Sequence, residues 1–156
     1  MWISFRCKSV GSVDHFWVQF NKLVVTKELP ETSSLDDIAG PDTDSNGVRD
    51  DVDGYILSLP VTPSQVARLQ ELAKYLQLAI TVEPSTRQDS NEFAQKKALA
   101  QFCATTSFTD RKLARQYLQK IQAYTANTHE RALRYNGYNH SRNGSVLTLP
   151  SPSDCN

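Results

Sequence analysis

The sequence predicts a mainly α protein: an irregular bundle of three to four helices in a single domain spanning residues 1–156. The length of 156 residues is that of one ordinary domain. Hydrophobic residues at 39% and charged residues at 22% are typical of globular proteins rather than disordered or membrane ones. Apolar residues recur at helical spacing through most of residues 50–135, which we interpret as the bundle itself.

Residues 1–41 carry a different pattern and form a predicted irregular or short-strand segment. Residues 2–25 are dense in aromatic and β-branched side chains, with Gly11 and Ser12 as a candidate turn between two short strands. A helix through Val13–Val25 is the alternative. Residues 28–41 contain two prolines and one glycine among small polar residues, which indicates a loop.

The first two predicted helices have clear boundaries. One runs from Asp50 to Leu59 and is stopped by Pro60. The next starts at Thr62-Pro63, a hydroxyl N-cap followed by proline, with Gln65 at the third helical position. Its expected buried stripe is Val66, Leu69, Leu72, Ala73, Leu76, Ala79 and Ile80.

Two further helices are predicted, followed by a tail. In the third, the buried side is expected to be Phe93, Ala94, Ala98, Leu99 and Phe102, with Lys96 and Lys97 outward. A single long helix should then open at Thr109-Asp110, keep its period through Thr128 and Ala132, and end at Asn136-Gly137. Residues 136–156 are rich in Asn, Ser, Gly and Pro and should form a C-terminal tail packed on the bundle.

Residues 42–53 form the most specific motif in the chain. Counted from Asp42, oxygen-bearing side chains stand at positions 1, 3, 5, 9 and 12, and glycine stands at position 6. This is the ligand spacing of an EF-hand-type calcium loop, in which position 7 contributes its backbone carbonyl. Four Asp carboxylates in one such turn would repel one another without a cation. The candidate metal ligands are Asp42, Asp44, Asn46, Val48, Asp50 and Asp53, for Ca²⁺ or alternatively Mg²⁺.

Two departures distinguish the motif from a complete EF-hand. Pro41 precedes the first ligand and no amphipathic helix leads into it, while position 12 is the shorter Asp53 rather than Glu. The apolar Val48 at position 7 makes the loop resemble the calcium loops of thrombospondin type 3 repeats, and it is also similar to dockerin-type loops. The stretch from Asp42 to Ile56 further resembles a group of uncharacterised bacterial exported proteins in which such a loop opens a helical domain. This resemblance implies calcium and a periplasmic or secreted location.

Cysteines and the N-terminus bear on the same question of location. A Cys103–Cys155 disulfide would pin the tail to the bundle and imply an oxidising compartment, whereas free thiols are the alternative. Met1–Val10 is not followed by an apolar signal sequence, so the cytoplasm is the alternative location. No apolar run is long enough to span a membrane.

No catalytic motif accompanies these features. His129-Glu130 with Arg131 and Arg134 lacks a nucleophile or phosphate-loop motif, and we expect no enzymatic activity. A single calcium loop with no paired hand favours a structural role in a domain that binds an unidentified protein or small ligand. The alternative is binding of nucleic acid or another anionic partner through the basic series Arg111, Lys112, Arg115, Lys120, Arg131, Arg134 and Arg142. The sequence does not indicate an oligomeric state.

Overall fold

The computed structural model describes residues 38–82 and 87–155. Within them the chain is mainly helical and contains no strand, which confirms the mainly α character predicted from the sequence. The expected strand-like part of the N-terminal segment lies in residues 1–37, outside the described residues. The helices are α1 (Asp50–Leu57), α2 (Pro63–Thr81), α3 (Arg87–Thr106), α4 (Arg111–Thr125) and α5 (His129–Ser141), followed by a 3-10 turn (Pro152–Cys155).

Helix α2 is the centre of the bundle and contacts each of the other four helices. It begins as the sequence predicts: the Thr62 hydroxyl accepts from the Gln65 N–H, and the Gln65 side chain accepts from the Thr62 N–H. Most of its predicted apolar stripe is buried, and Leu69 and Ile80 are 0% and 1% exposed. Burial of one such side chain stabilises the fold by about 1.5–3 kcal/mol.

Helix α3 buries smaller side chains than the sequence indicates. Ala94 is buried as expected, together with Ala100, Cys103 and Ala104, while the predicted aromatic positions are only partly buried. Phe93 instead joins a chain of rings, with its centroid 5.9 Å from that of Tyr75 and 5.6 Å from that of Tyr138. Small side chains allow α3 to approach α2 closely, since they leave room for the backbone.

Lys97 does not point outward, which corrects the sequence prediction. Its Nζ lies 5.4 Å from the ring centroid of Tyr138 and 5.9 Å from that of Tyr135. Loss of hydration lowers the pKa of Lys97 to about 8. Lys96 is exposed as predicted and pairs with Glu92 at 2.6 Å.

The predicted long helix is divided into α4 and α5, so residues 50–82 and 87–155 contain five α-helices in place of the predicted three or four. Ala126 leaves helical geometry as the cap of α4, with φ −102° and ψ 35°. Thr128, expected in the buried stripe, is the N-cap of α5 and accepts from the Arg131 N–H. Helical periodicity in the sequence does not reveal this break, because the apolar residues keep the same spacing on both sides of it. Helix α5 then runs through Asn136-Gly137 and ends at Ser141.

The tail returns over α3 and is tied to the bundle at its end. Cys103 and Cys155 form a disulfide, which decides between the two alternatives left open by the sequence. The Gln95 side chain pairs with the backbone of Thr148 through two hydrogen bonds of 2.8 and 3.0 Å, and Arg68 donates to the Cys155 carbonyl. The apolar patch of the tail contributes little, because Val146 and Leu149 are at least 90% exposed.

None of the helices in residues 38–82 and 87–155 combines the length and apolar character needed to cross a membrane.

Candidate metal centre

The loop of residues 42–53 is closed by its first carboxylate. Asp42 Oδ2 accepts from the Gly47 N–H at 2.9 Å, and Asp42 Oδ1 accepts from the Asn46 N–H at 3.1 Å. Gly47 has φ +85°, a conformation that glycine adopts without steric cost. Ser45, two residues earlier, also has a positive φ of 58°. Two left-handed residues in close succession turn the chain back on itself, and they place positions 1, 5 and 6 beside one another.

The middle of the loop is fixed by the side chain of Asn46. Its Oδ1 accepts from the Val48 N–H at 2.7 Å, and its Nδ2 donates to Asp44 Oδ2 at 2.9 Å. Val48 is 2% exposed and belongs to the hydrophobic core. Val48 therefore anchors the middle of the loop to the bundle, while Asp44 stays exposed.

The last two predicted ligands lie in the first turn of α1 and have other partners. Asp50 accepts from the Thr43 N–H at 2.8 Å and from the Thr43 hydroxyl at 2.7 Å. The hydroxyl first, and then the N–H, lower the pKa of Asp50 below its ordinary value. Asp53 Oδ1 accepts from Gln70 Nε2 at 2.6 Å.

The structure thus places the six predicted ligands in one closed loop, but their carboxylates do not converge on a common point. In the described part of the chain, no three His, Cys, Asp or Glu side chains converge in an arrangement suited to a metal ion. The carboxylates point instead to hydrogen-bond donors of the loop and of α2. Metal binding by these residues stays a prediction.

Arg49, inside the loop, is a structural anchor that the sequence analysis missed. It is 2% exposed, pairs with the Asp51 carboxylate, and donates to the Tyr124 carbonyl at 2.7 Å and to Asn127 Oδ1 at 3.3 Å. The Tyr124 carbonyl belongs to the last turn of α4, where no helical donor remains for it. Gly40 packs directly on this side chain: a Cβ at Gly40 would lie 2.2 Å from Arg49 Cδ.

A second buried arginine holds the chain just before the loop. Arg131 of α5 is 7% exposed, and its Nε donates to the Ile38 carbonyl at 3.0 Å. Its Nη1 donates to Asn127 Oδ1 at 2.7 Å. Gln77 of α2 donates to the next carbonyl, that of Ala39, at 2.6 Å. Arg49 and Arg131 therefore both donate to Asn127, which lies at the α4–α5 break.

The basic series of the C-terminal helices is divided between α4 and α5, and not all of its members are exposed. Arg131 is buried, and the α4–α5 break separates the residues before it from those after it. Arg134 donates to the Ile80 carbonyl at 3.3 Å, and Arg142 donates to the Ser90 carbonyl at 3.2 Å. Several of these side chains thus bind the protein's own backbone.

Comparison of the chain with protein-family models, with curated proteins and with solved structures gave no match.

Proposed function

We propose that this protein is a non-enzymatic helical domain, stabilised by a calcium ion in the loop of residues 42–53, that binds another protein or a small ligand. One observation carries the proposal. The oxygen-bearing side chains have EF-hand spacing, and the loop that bears them has a left-handed Gly47 at position 6 and is closed by the position-1 carboxylate of Asp42.

Ion binding would require only local rearrangement of side chains. Calcium takes six to eight oxygen ligands, several of them carboxylates, at about 2.3–2.6 Å. Asp44 and Asp50 are exposed, so their carboxylates can turn by rotation about side-chain bonds. Asp50 would exchange its bonds to Thr43, and Asp53 its bond to Gln70, for contact with the ion. A divalent charge would also relieve the repulsion among the clustered carboxylates.

The proposed effect of the ion is structural. Asp50 and Asp53 belong to the first turn of α1, so coordination would fix the start of this helix. The same loop holds Arg49, which connects it to the end of α4. An ion in this loop would therefore stabilise the packing of α1 and of residues 38–41 on the bundle.

We further propose an oxidising location, periplasmic or secreted, for a bacterial protein of this type. The Cys103–Cys155 disulfide supports this location, since such bonds persist in oxidising compartments and are rare in the cytosol. The resemblance of the loop to those of exported bacterial proteins supports it independently.

Thermal unfolding with and without calcium tests the metal site. After removal of metal by a chelator, adding calcium to about 100 times its dissociation constant should stabilise the fold by about 2.7 kcal/mol. For a chain of this size, that corresponds to a rise of about 8 °C in the melting temperature. Magnesium at the same concentration should give a smaller rise, because it demands near-ideal octahedral geometry.

Two variants separate the loop from general effects of charge. Asp44→Ala removes an exposed ligand and should abolish most of the calcium-dependent rise. Glu71→Ala, on α2, removes an exposed carboxylate outside the loop, which pairs with Arg68 at 3.4 Å, and it should leave the rise intact. A wild-type melting temperature that does not respond to calcium would refute the proposal.

A further inference from the structure

A cleft lies between the C-terminal end of α2 and the second half of α5. It has a volume of about 550 Å³, within the range of small-molecule sites. Val82 and Leu133 stand on it and are 56% and 49% exposed, so apolar surface is left facing solvent there. The apolar part of its lining comprises Ala79, Ile80, Val82, Leu133 and Gly137, and the ring of Tyr138 adds to it.

Among the described lining residues, Arg134 is cationic. Arg134 is half-buried, and its Nη1 donates to the Ile80 carbonyl at the end of α2 at 3.3 Å. In residues 38–82 and 87–155, no carboxylate lies within ion-pairing distance of Arg134. An arginine guanidinium has five N–H donors in a planar fork, so donors remain for a planar anion.

The polar groups near Arg134 also suit an anion. Ser90 and Ser141 line the cleft. Arg142 donates to the Ser90 carbonyl at 3.2 Å, so a second positive charge lies beside Ser90. No acidic side chain is among the described residues that line the cleft. Among the described residues, the charged groups at the cleft are therefore positive, and the surface around them is largely apolar.

We propose that this cleft binds a small monocarboxylic acid with an apolar body, with the carboxylate on Arg134 and the apolar body along Val82, Leu133 and Gly137. A neutral apolar ligand would cover Arg134 without pairing its charge, which is costly. A carboxylate can instead pair with the Arg134 guanidinium through two parallel hydrogen bonds, which neutralises the charge. The inference rests on the ligand-binding role proposed above but not on the calcium loop, which lies elsewhere in the fold.

Gly137 offers a way to close the cleft without disturbing the bundle. It lies within α5 with an ordinary helical backbone, and a Cβ added there would meet no atom within 4 Å. A leucine at this position would extend into the cleft and also favour the helix. Gly54 of α1 is a matched control, because a Cβ there likewise meets no atom within 4 Å and the residue is not part of the cleft.

Octanoate is a suitable probe, with 1-octanol as the uncharged analogue of the same chain length. Titrations of the intact protein would be followed by isothermal calorimetry and by changes in amide NMR shifts. We expect octanoate to bind at least ten-fold more tightly than octanol. Arg134→Gln should weaken octanoate binding about ten-fold or more, since a charged hydrogen-bond partner is lost. Gly137→Leu should abolish binding, and Gly54→Leu should leave it unchanged.

Absence of octanoate binding to the wild-type protein would overturn the proposal, as would unchanged binding to Gly137→Leu. Equal affinity for octanoate and octanol would overturn the assignment of the carboxylate to Arg134. Should Arg134→Gln fail to fold, as judged by circular dichroism, the comparison of Gly137→Leu with Gly54→Leu still decides the question. Repeating the titration in chelator distinguishes this site from the metal site: binding should persist whether or not calcium alters the melting temperature.

Discussion

The Cys103–Cys155 disulfide should contribute a large share of the protein's stability. The bond joins residues separated by 52 positions. In the chain-entropy model, closing a loop of this length destabilises the unfolded state by about 4 kcal/mol at 25 °C. This figure is an upper value for the measured loss, because without the disulfide the end of the tail is also released in the folded state. The hydrogen bonds from Gln95 to Thr148 and from Arg68 to Cys155 oppose that release.

The perturbation is Cys155→Ser, made in a Cys7→Ser background so that no other thiol can exchange with the one left at Cys103. We expect the free energy of unfolding in urea to fall by about 2–4 kcal/mol. The melting temperature should fall by about 6–12 °C. The urea m-value should rise slightly, since the unfolded chain exposes more surface once the cross-link is removed. The Cys7→Ser protein itself is the control.

Alkylation of the unfolded, unreduced protein provides a direct check on the bond. Only Cys7 should react in the wild-type chain, and mass spectrometry would detect a single adduct. Reaction of all three cysteines would refute the disulfide. An unchanged urea midpoint in Cys155→Ser would refute the magnitude derived from loop closure.

Two further predictions concern glycine and lysine positions. Gly40→Ala should destabilise the fold by about 2–4 kcal/mol, because the φ of Gly40 is +70° and the new Cβ would collide with Arg49. Gly137→Ala should instead stabilise the fold by about 0.5–1 kcal/mol, as judged by urea unfolding. Similar effects of the two substitutions would contradict the geometry. Lys97→Met should stabilise the protein near neutral pH by about 1–2 kcal/mol, because desolvation of the charged amine is removed while its ring contacts offset part of the gain. The pKa of Lys97 is about 8 in the folded state against 10.5 ordinarily, so the wild type gains stability relative to the variant as the pH rises from 8 to 10.5. Paired unfolding curves across this range would show whether the difference shrinks; a constant difference would contradict the desolvation of Lys97.

The sequence predicted those features that depend on neighbouring residues. The start of α2 follows from Thr62, Pro63 and Gln65, which act within one turn, and the structure has the capping box there. The buried stripe of α2 follows from helical periodicity, because every position on it faces the same core.

Features that depend on distant partners were not predictable in this way. Arg49 and Arg131 are charged residues that hydrophobic patterning assigns to the surface, yet both are buried. Besides its ion pair with Asp51, Arg49 donates to the Tyr124 carbonyl and to Asn127, which lie 75 and 78 residues away, so its burial depends on partners that the local sequence does not show. The α4–α5 break escaped prediction for the same reason, since those contacts help to fix it.

The candidate metal loop shows the same division. The spacing of its oxygen-bearing residues and the turn at Gly47 are local, and the turn is present with φ +85°. The orientations of Asp50 and Asp53 depend on Thr43 and on Gln70 of another helix, so sequence alone could not specify them.

The tail also affects how the protein would respond to a protease. Residues 143–149 are exposed and lie between the end of α5 and the disulfide at Cys155. Cleavage of a peptide bond in this stretch would not release the C-terminal piece, because Cys155 remains covalently bonded to Cys103. The nicked protein would keep its mass under non-reducing conditions, apart from the water added by hydrolysis, and would separate into two fragments only when a reductant is added.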